Sequence, residues 1–365
     1  MGQSMKTLVI ETEKLRANVK TLQDYMKGTP IWAVLKCNAY GMGLIPFTKT
    51  LAECGIDRFA VSDAEEAALL RENGFEQEIL LLSAAELPDE IETVIRCGLT
   101  ATIASQEGAL ALSEAAEKAG KTVDVHINVE TGFGRFGFNS AEEFLAVSGR
   151  IPGLRITGAY SHLSNAFGEE KTSRIQLERF QKIVSGIEAG GVSIPMKHIC
   201  NSSAALRFPD MHLDAVRIGS AFLGRLSFEP PVALSKLAYL EAEVSYVKTL
   251  PEGANVGYAN TCRLKRRTTT AVIYVGYADG FAMEKKNDTF RFLDILRYTY
   301  HALQYFLKDN RTYVRIGEKR YPLLGRISMY NIIADVTGSG VKPGDKVRIE
   351  INPILVNPSI ERSYR

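Results

Sequence analysis

Residues 32–43 read Trp32-Ala33-Val34-Leu35-Lys36-Cys37-Asn38-Ala39-Tyr40-Gly41-Met42-Gly43. A short apolar run ends on a lone lysine, and an aromatic hydroxyl and two glycines follow it. An amine in apolar surroundings gives up its proton more readily than one in water, which makes a lysine nucleophilic enough for a Schiff base. The stretch therefore reads as a strand that delivers Lys36 and Tyr40 to the loop at its end. The bland alternative is a strand whose end carries a solvated lysine. The rest of the chain decides between the two.

Working outward, similar β-rich runs recur at Ile31–Lys36, Arg58–Val61, Glu78–Ser83, Thr100–Ser105, Thr122–Asn128, Ile156–His162, Lys197–Cys200 and Ala215–Ile218. Segments rich in Ala, Glu, Leu and Lys lie between them, at Asp63–Asn73, Gln106–Ala119, Ala141–Ser148 and Lys171–Ala189. Alternation of this kind predicts a closed α/β barrel, a TIM-like (β/α)₈ fold, over residues 6–230. A doubly wound open sheet is the alternative. No GxGxxG opens the first βα unit, which disfavours its dinucleotide-binding form.

The texture changes over residues 235–365. Ala242–Lys248, Thr268–Tyr277, Thr312–Ile316, Arg320–Leu324, Asn331–Val336 and Lys346–Ile351 read as strands between Gly, Pro and Asp turns, predicting a mainly-β C-terminal domain. Within it, Phe290–Asp309 carries Leu293, Leu296, Tyr300 and Leu303 at helical spacing, the mark of a short surface helix or a packing arm.

Composition narrows the function. The 365 residues are 45% hydrophobic and 24% charged with a formal charge of +2, so the chain has an ordinary core and no electrostatic reason to bind nucleic acid. Its five cysteines are scattered and form no CxxC pair, which fits reduced thiols in the cytoplasm rather than a disulfide framework. The five histidines show no HxxxH or HExxH spacing, so no metal is expected. No apolar run approaches the roughly 18 residues of a membrane span, so no membrane contact by this chain is expected.

In a (β/α)₈ barrel the reactive groups sit at the C-terminal strand ends. Lys36 and Tyr40 follow the first run, Glu130–Gly137 the fifth, His162 ends the sixth, Asn201-Ser202-Ser203 follow the seventh, and Arg217-Ile218-Gly219-Ser220 end the eighth. Hydroxyls and main-chain N–H groups after the last two strands form the usual phosphate site of such barrels. A single Asn-Ser-Ser or Gly-Ser is usually just a turn or a cap.

Six motifs then stand together: Ala33–Gly43 (AVLKCNAYGMG), Glu130–Phe138 (ETGFGRFGF), His198–Ser203 (HICNSS), Val216–Ser220 (VRIGS), Val275–Gly280 (VGYADG) and Gly325–Met329 (GRISM). In this order they make the chain resemble the alanine racemases, pyridoxal-phosphate enzymes with a barrel followed by a β domain. The resemblance implies that Lys36 holds pyridoxal 5'-phosphate covalently and acts as one catalytic base. Tyr40, Ser202, Gly219 and Ser220 would hold the cofactor's phosphate, Asn201 would be a further cofactor-binding residue, Arg217 would face the pyridine nitrogen with His162 close behind, and Arg135 would meet the ring hydroxyl and the substrate carboxylate. Tyr277 would be the second base and the Met329 N–H a carboxylate contact, both supplied across a homodimer interface with shared active sites. The residue types suit the chemistry: racemisation needs an electron sink, which side chains lack, and a proton carrier on each face of Cα. An arginine that keeps its proton leaves the pyridine nitrogen unprotonated and shifts the burden onto the two bases.

Four positions depart from the family. Met42 replaces a histidine, Asn128 stands where many members carry a carbamylated lysine that supports Arg135, and Tyr330 follows Met329 where an aspartate is common. Without that carbamate, an anion such as chloride is the expected brace for Arg135. Asn352 falls where a tyrosine borders the substrate side chain; a smaller amide opens space and adds polar groups that suit the hydroxymethyl of serine. With the extra 290–309 segment, this resembles the racemase domain of the VanT-type serine racemases of vancomycin-resistant bacteria, in which a membrane domain precedes a cytoplasmic catalytic one. The expectation is a racemase of serine and secondarily alanine, supplying D-amino acid to cell-wall precursors. The alternatives are a plain alanine racemase and a non-catalytic pyridoxal-phosphate-binding protein.

Overall fold

The computed structural model describes residues 6–284, 289, 291–307 and 311–365. They divide into two compact units, Glu11–Leu237 and a second that joins the segment ending at Ile10 to Ala238–Arg365.

The Glu11–Leu237 unit contains eight parallel strands: β1 (Ile31–Val34), β2 (Arg58–Val61), β3 (Glu78–Ala84), β4 (Thr100–Ile103), β5 (Val123–Asn128), β6 (Leu154–Tyr160), β7 (Met196–His198) and β8 (Val216–Ile218). From β1 to β7 each pairs with the next in sequence, and β8 returns to β1 through Ile31↔Val216, Trp32↔Arg217 and Ala33↔Ile218. A single bridge, His198↔Ala215, joins β7 to the start of β8, so the barrel is nearly closed. β1 and β4 are buried along their whole length, as parallel strands covered on both faces must be. The connecting helices begin where the sequence offers acceptors. Asp63 accepts the Glu65 N–H, Ser105 the Gly108 N–H and Ser140 the Glu143 N–H. The predicted barrel is present, but β1 and β6 end at Val34 and Tyr160. Lys36 and His162 therefore stand beyond the sheet, where loop geometry rather than pleat directs their side chains.

The second unit is built around the 13-residue strand Ala238–Leu250. Its first half pairs with Lys346–Ile349 and its second half with Thr268–Ile273, and the register shifts between Val244 and Tyr246. That irregularity lets one strand serve two partners. Lys6–Ile10 also pairs with this strand, and with Glu361–Tyr364 on its other side. The sequence reading had begun the barrel at residue 6. A lone five-residue strand carries no local signal for the sheet it will join, and its partner lies more than two hundred residues away in sequence.

Of the segment read as Phe290–Asp309, Phe292–Leu307 is helix; Phe290 and residues 308–309 lie outside the described residues. Phe292, Leu293, Leu296, Tyr300 and Leu303 all face outward, while Asp294 is covered between Arg291 (2.7 Å) and Arg297 (3.1 Å). It is thus a surface helix. No described helix is long and apolar enough to cross a membrane.

At the centre of the barrel Trp32 is fully buried, with Nε1 3.3 Å from Met196 Sδ and its ring against His126 and His198. Trp32→Ala is expected to cost about 3–5 kcal/mol through the cavity it leaves. Urea unfolding measures this, and a loss below about 1 kcal/mol would show that the ring is not part of the barrel's support.

Candidate active site

Nine of the residues singled out in the sequence line one cavity of about 270 Å³ in the barrel unit: Lys36, Tyr40, Arg135, His162, Asn201, Ser202, Arg217, Gly219 and Ser220. Lys36 and Tyr40 reach it from an unusual turn. Cys37, Asn38, Ala39 and Tyr40 all have positive φ, between 51° and 57°. This is a left-handed helical turn made without glycine, at a cost of about 1–2 kcal/mol per residue. Side chains one turn apart share a face, so the turn carries Lys36 and Tyr40 to the same cavity. Opposite them, Ser202 Oγ accepts the N–H groups of Gly219 (2.9 Å) and Ala221 (3.4 Å). A Cβ at Gly219 would run into the Tyr40 hydroxyl and ring, so only glycine permits this approach. Asn201 caps the next helix with Oδ1, which accepts the Ser203 and Ala204 N–H groups.

Arg217 is buried, and no carboxylate pairs with it among the described residues. Its guanidinium donates to the carbonyls of Ser161 (2.7 Å), His198 (3.2 Å) and Ile199 (3.3 Å) and to His198 Nδ1 (2.8 Å), with His162 Nδ1 at 3.5 Å. Burial pulls its pKa down to about 10, so at neutral pH it remains a cation. A guanidinium can only donate, which makes His198 Nδ1 an acceptor and places the proton on Nε2. That proton is then given to His126 Nδ1, 3.0 Å away. Both rings are neutral. Burial, then the charge of Arg217, pushes His126 down to about 3 and His198 well below its usual value. His162 is also pushed down to about 3, by burial and by the charges of Arg217, Arg135 and Lys36. Sequence reasoning assigned no role to His126 or His198. His198 stood inside a quoted motif, but a buried tautomer chain leaves no spacing signature.

The loop after β5 holds Arg135. Glu130 places its carboxylate among four successive main-chain N–H groups, those of Gly132, Phe133 (2.8 Å), Gly134 (2.9 Å) and Arg135 (3.4 Å). Burial raises this carboxyl's pKa, but the four N–H groups outweigh that and hold it below the usual range. The Arg135 guanidinium lies over the rings of Phe133 (5.0 Å) and Phe136 (4.4 Å). Asn128 is buried and reaches the Tyr160 hydroxyl. Both rings offer the guanidinium a cation–π face.

The other three predicted site residues belong to the β unit. Tyr277 sits in a tight turn whose N–H groups are tied to the neighbouring segment: Tyr277 N to Ser328 O and Ala278 N to Met329 O, both 3.1 Å. Asp279 is buried, accepts the Gly276 N–H (3.0 Å) and pairs with Lys6 (2.5 Å). Asn357 ties the Asn352 segment to the same turn through its Nδ2, 3.2 Å from Ala278 O. Tyr277 and Met329 therefore share one exposed corner of this unit, with Tyr277 44% and Met329 50% exposed, and Asn352 is exposed on the segment that leads to Asn357.

The barrel cavity fits the cofactor that the motifs imply. Its lining includes three cationic side chains, Lys36, Arg135 and Arg217, and no Asp or Glu, which suits a polyanion. It offers one primary amine for an aldehyde, and hydroxyls beside a glycine backbone for a phosphate.

The neutral histidines make the barrel acid-sensitive. Their folded pKa values lie below the unfolded value of about 6.5, so the unfolded chain binds more protons between the two. The stability they contribute is complete above about pH 6.5 and is lost as pH falls toward the folded values. The urea midpoint should be lower at about pH 5 than at about pH 7.5, and His126→Gln should shrink the difference. A midpoint equal at both pH values would contradict a neutral buried pair.

The N-terminal domain model of alanine racemases matches residues 10–226 and the C-terminal domain model residues 237–353. The alanine racemase of Carboxydothermus hydrogenoformans is 32% identical over 348 residues, covering 92% of this chain and 87% of that protein. That of Methanococcus maripaludis is 30% identical over 356 residues, 93% of this chain and 87% of its own. Among solved structures, the alanine racemase of D-cycloserine-producing Streptomyces lavendulae superposes with a TM-score of 0.84 at 25% identity, covering 100% of this chain and 98% of that one. The chain belongs to the alanine racemase family, whose members are pyridoxal-phosphate-dependent isomerases.

Proposed function

We propose that this chain racemises small amino acids by two-base transfer of the Cα proton, with alanine as the first substrate and serine as the second. The observation that carries the reading is the cavity itself, a single primary amine among three cations with no carboxylate. Pyridoxal phosphate, when bound, supplies the electron sink that makes a Cα proton removable. Lys36 Nζ carries the proton on one face of Cα. Tyr40, Ser202, Gly219 and Ser220 hold the phosphate, Asn201 lines the same cofactor site, and Arg135 orients the substrate carboxylate. Arg217 presents an N–H to the ring nitrogen and keeps its proton, because its pKa of about 10 leaves it charged at neutral pH. His162 stays neutral beside it.

The second base is Tyr277 of the partner subunit, which makes a homodimer the working unit and the Met329 N–H of the partner subunit a carboxylate contact. Exposure of Tyr277 and Met329 on a turn fixed by Asp279 and Lys6 supports this. Alanine comes first because the relatives described above carry that name. Serine is retained because Asn352 is an exposed amide, on the segment whose Asn357 bonds the Tyr277 turn, and an amide offers polar groups to a hydroxymethyl. A serine-selective enzyme would feed D-serine to cell-wall precursors, as vancomycin resistance requires.

Chiral analysis of L-alanine and L-serine, incubated separately with the chain and pyridoxal phosphate, tests the reading. D-alanine should form faster than D-serine, and no D-product from a cofactor-loaded chain would overturn it. Tyr277→Phe should keep the cofactor and lose about 10²–10⁴-fold in turnover; unchanged turnover would remove Tyr277 from the mechanism. Asn352→Tyr should lower the serine-to-alanine ratio by roughly fivefold, for a polar contact worth about 1 kcal/mol. An unchanged ratio would sink the assignment of Asn352.

A further inference from the structure

The left-handed turn after β1 needs an explanation for its persistence. Four consecutive residues with side chains occupy a backbone region that L-residues avoid, and such a conformation survives only where its surroundings over-determine it. Besides its main-chain bonds, such as Ala39 N to Leu35 O and Gly41 N to Cys37 O, two side-chain hydrogen bonds meet the turn among the described residues. Asn38 Oδ1 accepts the Leu44 N–H at 2.6 Å, fixing the exit into the helix Leu44–Glu53, but this bond is local to the loop. The other comes from a different βα unit. Glu66, in the helix Ala64–Glu72 that follows β2, accepts the Asn38 N–H through Oε1 at 2.6 Å. Its Oε2 is buried and has no hydrogen-bond partner among the described residues. A carboxylate half-used in this way costs free energy on its own account, so its place is not explained by its own satisfaction.

Glu66 is not among the residues that line the cavity, and its one hydrogen bond among the described residues goes to none of the side chains assigned to the reaction. What it touches is the middle of the segment whose two ends, Lys36 and Tyr40, do line the cavity. We propose that Glu66 is a positioning residue for both: by accepting the Asn38 N–H it holds residues 37–40 in the left-handed turn that brings the Lys36 amine and the Tyr40 hydroxyl to one face of the cavity. The inference rests on the cofactor reading of that cavity. It also explains why the turn can dispense with glycine at positions 37–40: an acceptor from the neighbouring helix fixes what a flexible backbone would only permit.

Four variants test it in the full chain: Glu66→Ala, Glu66→Gln, Glu66→Asp, and Glu66→Ala combined with Cys37→Gly. Cys37 is exposed, and glycine there adopts the left-handed conformation without strain. Two quantities are read: pyridoxal-phosphate affinity by absorbance titration, and amide hydrogen exchange over residues 37–41 in the cofactor-free chain. Glu66→Ala should weaken cofactor binding about tenfold and speed exchange in the turn. Glu66→Gln keeps the acceptor and should stay within about threefold of the parent. Cys37→Gly should recover most of the loss in the alanine background. Should Glu66→Ala fail to fold, Glu66→Asp, which keeps the charge but withdraws the acceptor, should show the same loss. Parent-like affinity and exchange in Glu66→Ala or Glu66→Asp would overturn the proposal, as would a glutamine variant as damaged as the alanine one. A parent chain that takes up no cofactor would instead defeat the functional reading, and the exchange data would still decide whether Glu66 holds the turn.

Discussion

A buried guanidinium without a counter-carboxylate sets the terms for the inside of this barrel. Arg217 is held by three main-chain carbonyls and one imidazole, all neutral acceptors, so its charge is solvated without being cancelled. That choice fixes its neighbours. His198 must present a bare Nδ1, its other nitrogen must donate, and His126 must accept. Both rings stay neutral because a second positive charge beside Arg217 in a buried site is too costly. Tyr160 completes the arrangement, its ring stacked on His198 at 5.1 Å and its hydroxyl anchored between Thr102 and Leu82.

Around this centre the other cations are placed by different devices. Arg135 rests on two phenylalanine faces, and its loop is pinned by a carboxylate that spends its acceptors on backbone rather than on the guanidinium. Lys36 is carried by a strained turn. In each case negative charge is kept out of the cavity, and the net positive potential remains available to an anionic ligand. Glu66 and Glu130 both act from outside the lining, on main-chain N–H groups. This is how a barrel can be braced by acids while its cavity has none.

In the β unit a similar economy holds the corner that bears Tyr277. Asp279 receives the Gly276 N–H and the Lys6 ammonium, and Lys6 in turn lies over the rings of Tyr274 and Tyr330. Gly276 packs so closely on the carbonyls of Ser328 and Met329 that a Cβ has no room. The aspartate inside the Gly-Tyr-Ala-Asp-Gly motif is therefore a fastening for the tyrosine two residues before it. Tyr330, which replaces a common aspartate, stacks on Tyr274 at 5.8 Å and becomes part of the same support.

The sequence by itself determined the barrel, because eight apolar runs at strand length, separated by helical segments, bury their backbone polar groups most simply in that way. It also determined the lysine, tyrosine and arginine side chains that line the cavity, since these lie at strand ends or in the loops that follow them and fall within quoted motifs. It left unreadable what depends on contacts between distant segments. Lys6–Ile10 reveals its sheet only through pairing with Ala238–Ala242, and the apolar stripe of Phe292–Leu307 looked equally suited to packing and to exposure. The left-handed turn was invisible because nothing in Cys-Asn-Ala-Tyr prefers positive φ strongly enough to predict it. A glutamate from the helix after β2 and the exit bond of Asn38 meet it there, and both are contacts that the local sequence does not announce. Tertiary structure alone decided which histidines stay neutral, which acids serve the backbone and which arginine remains charged in the interior. Those outcomes follow from burial and from hydrogen-bond direction, and neither is written in a linear spacing.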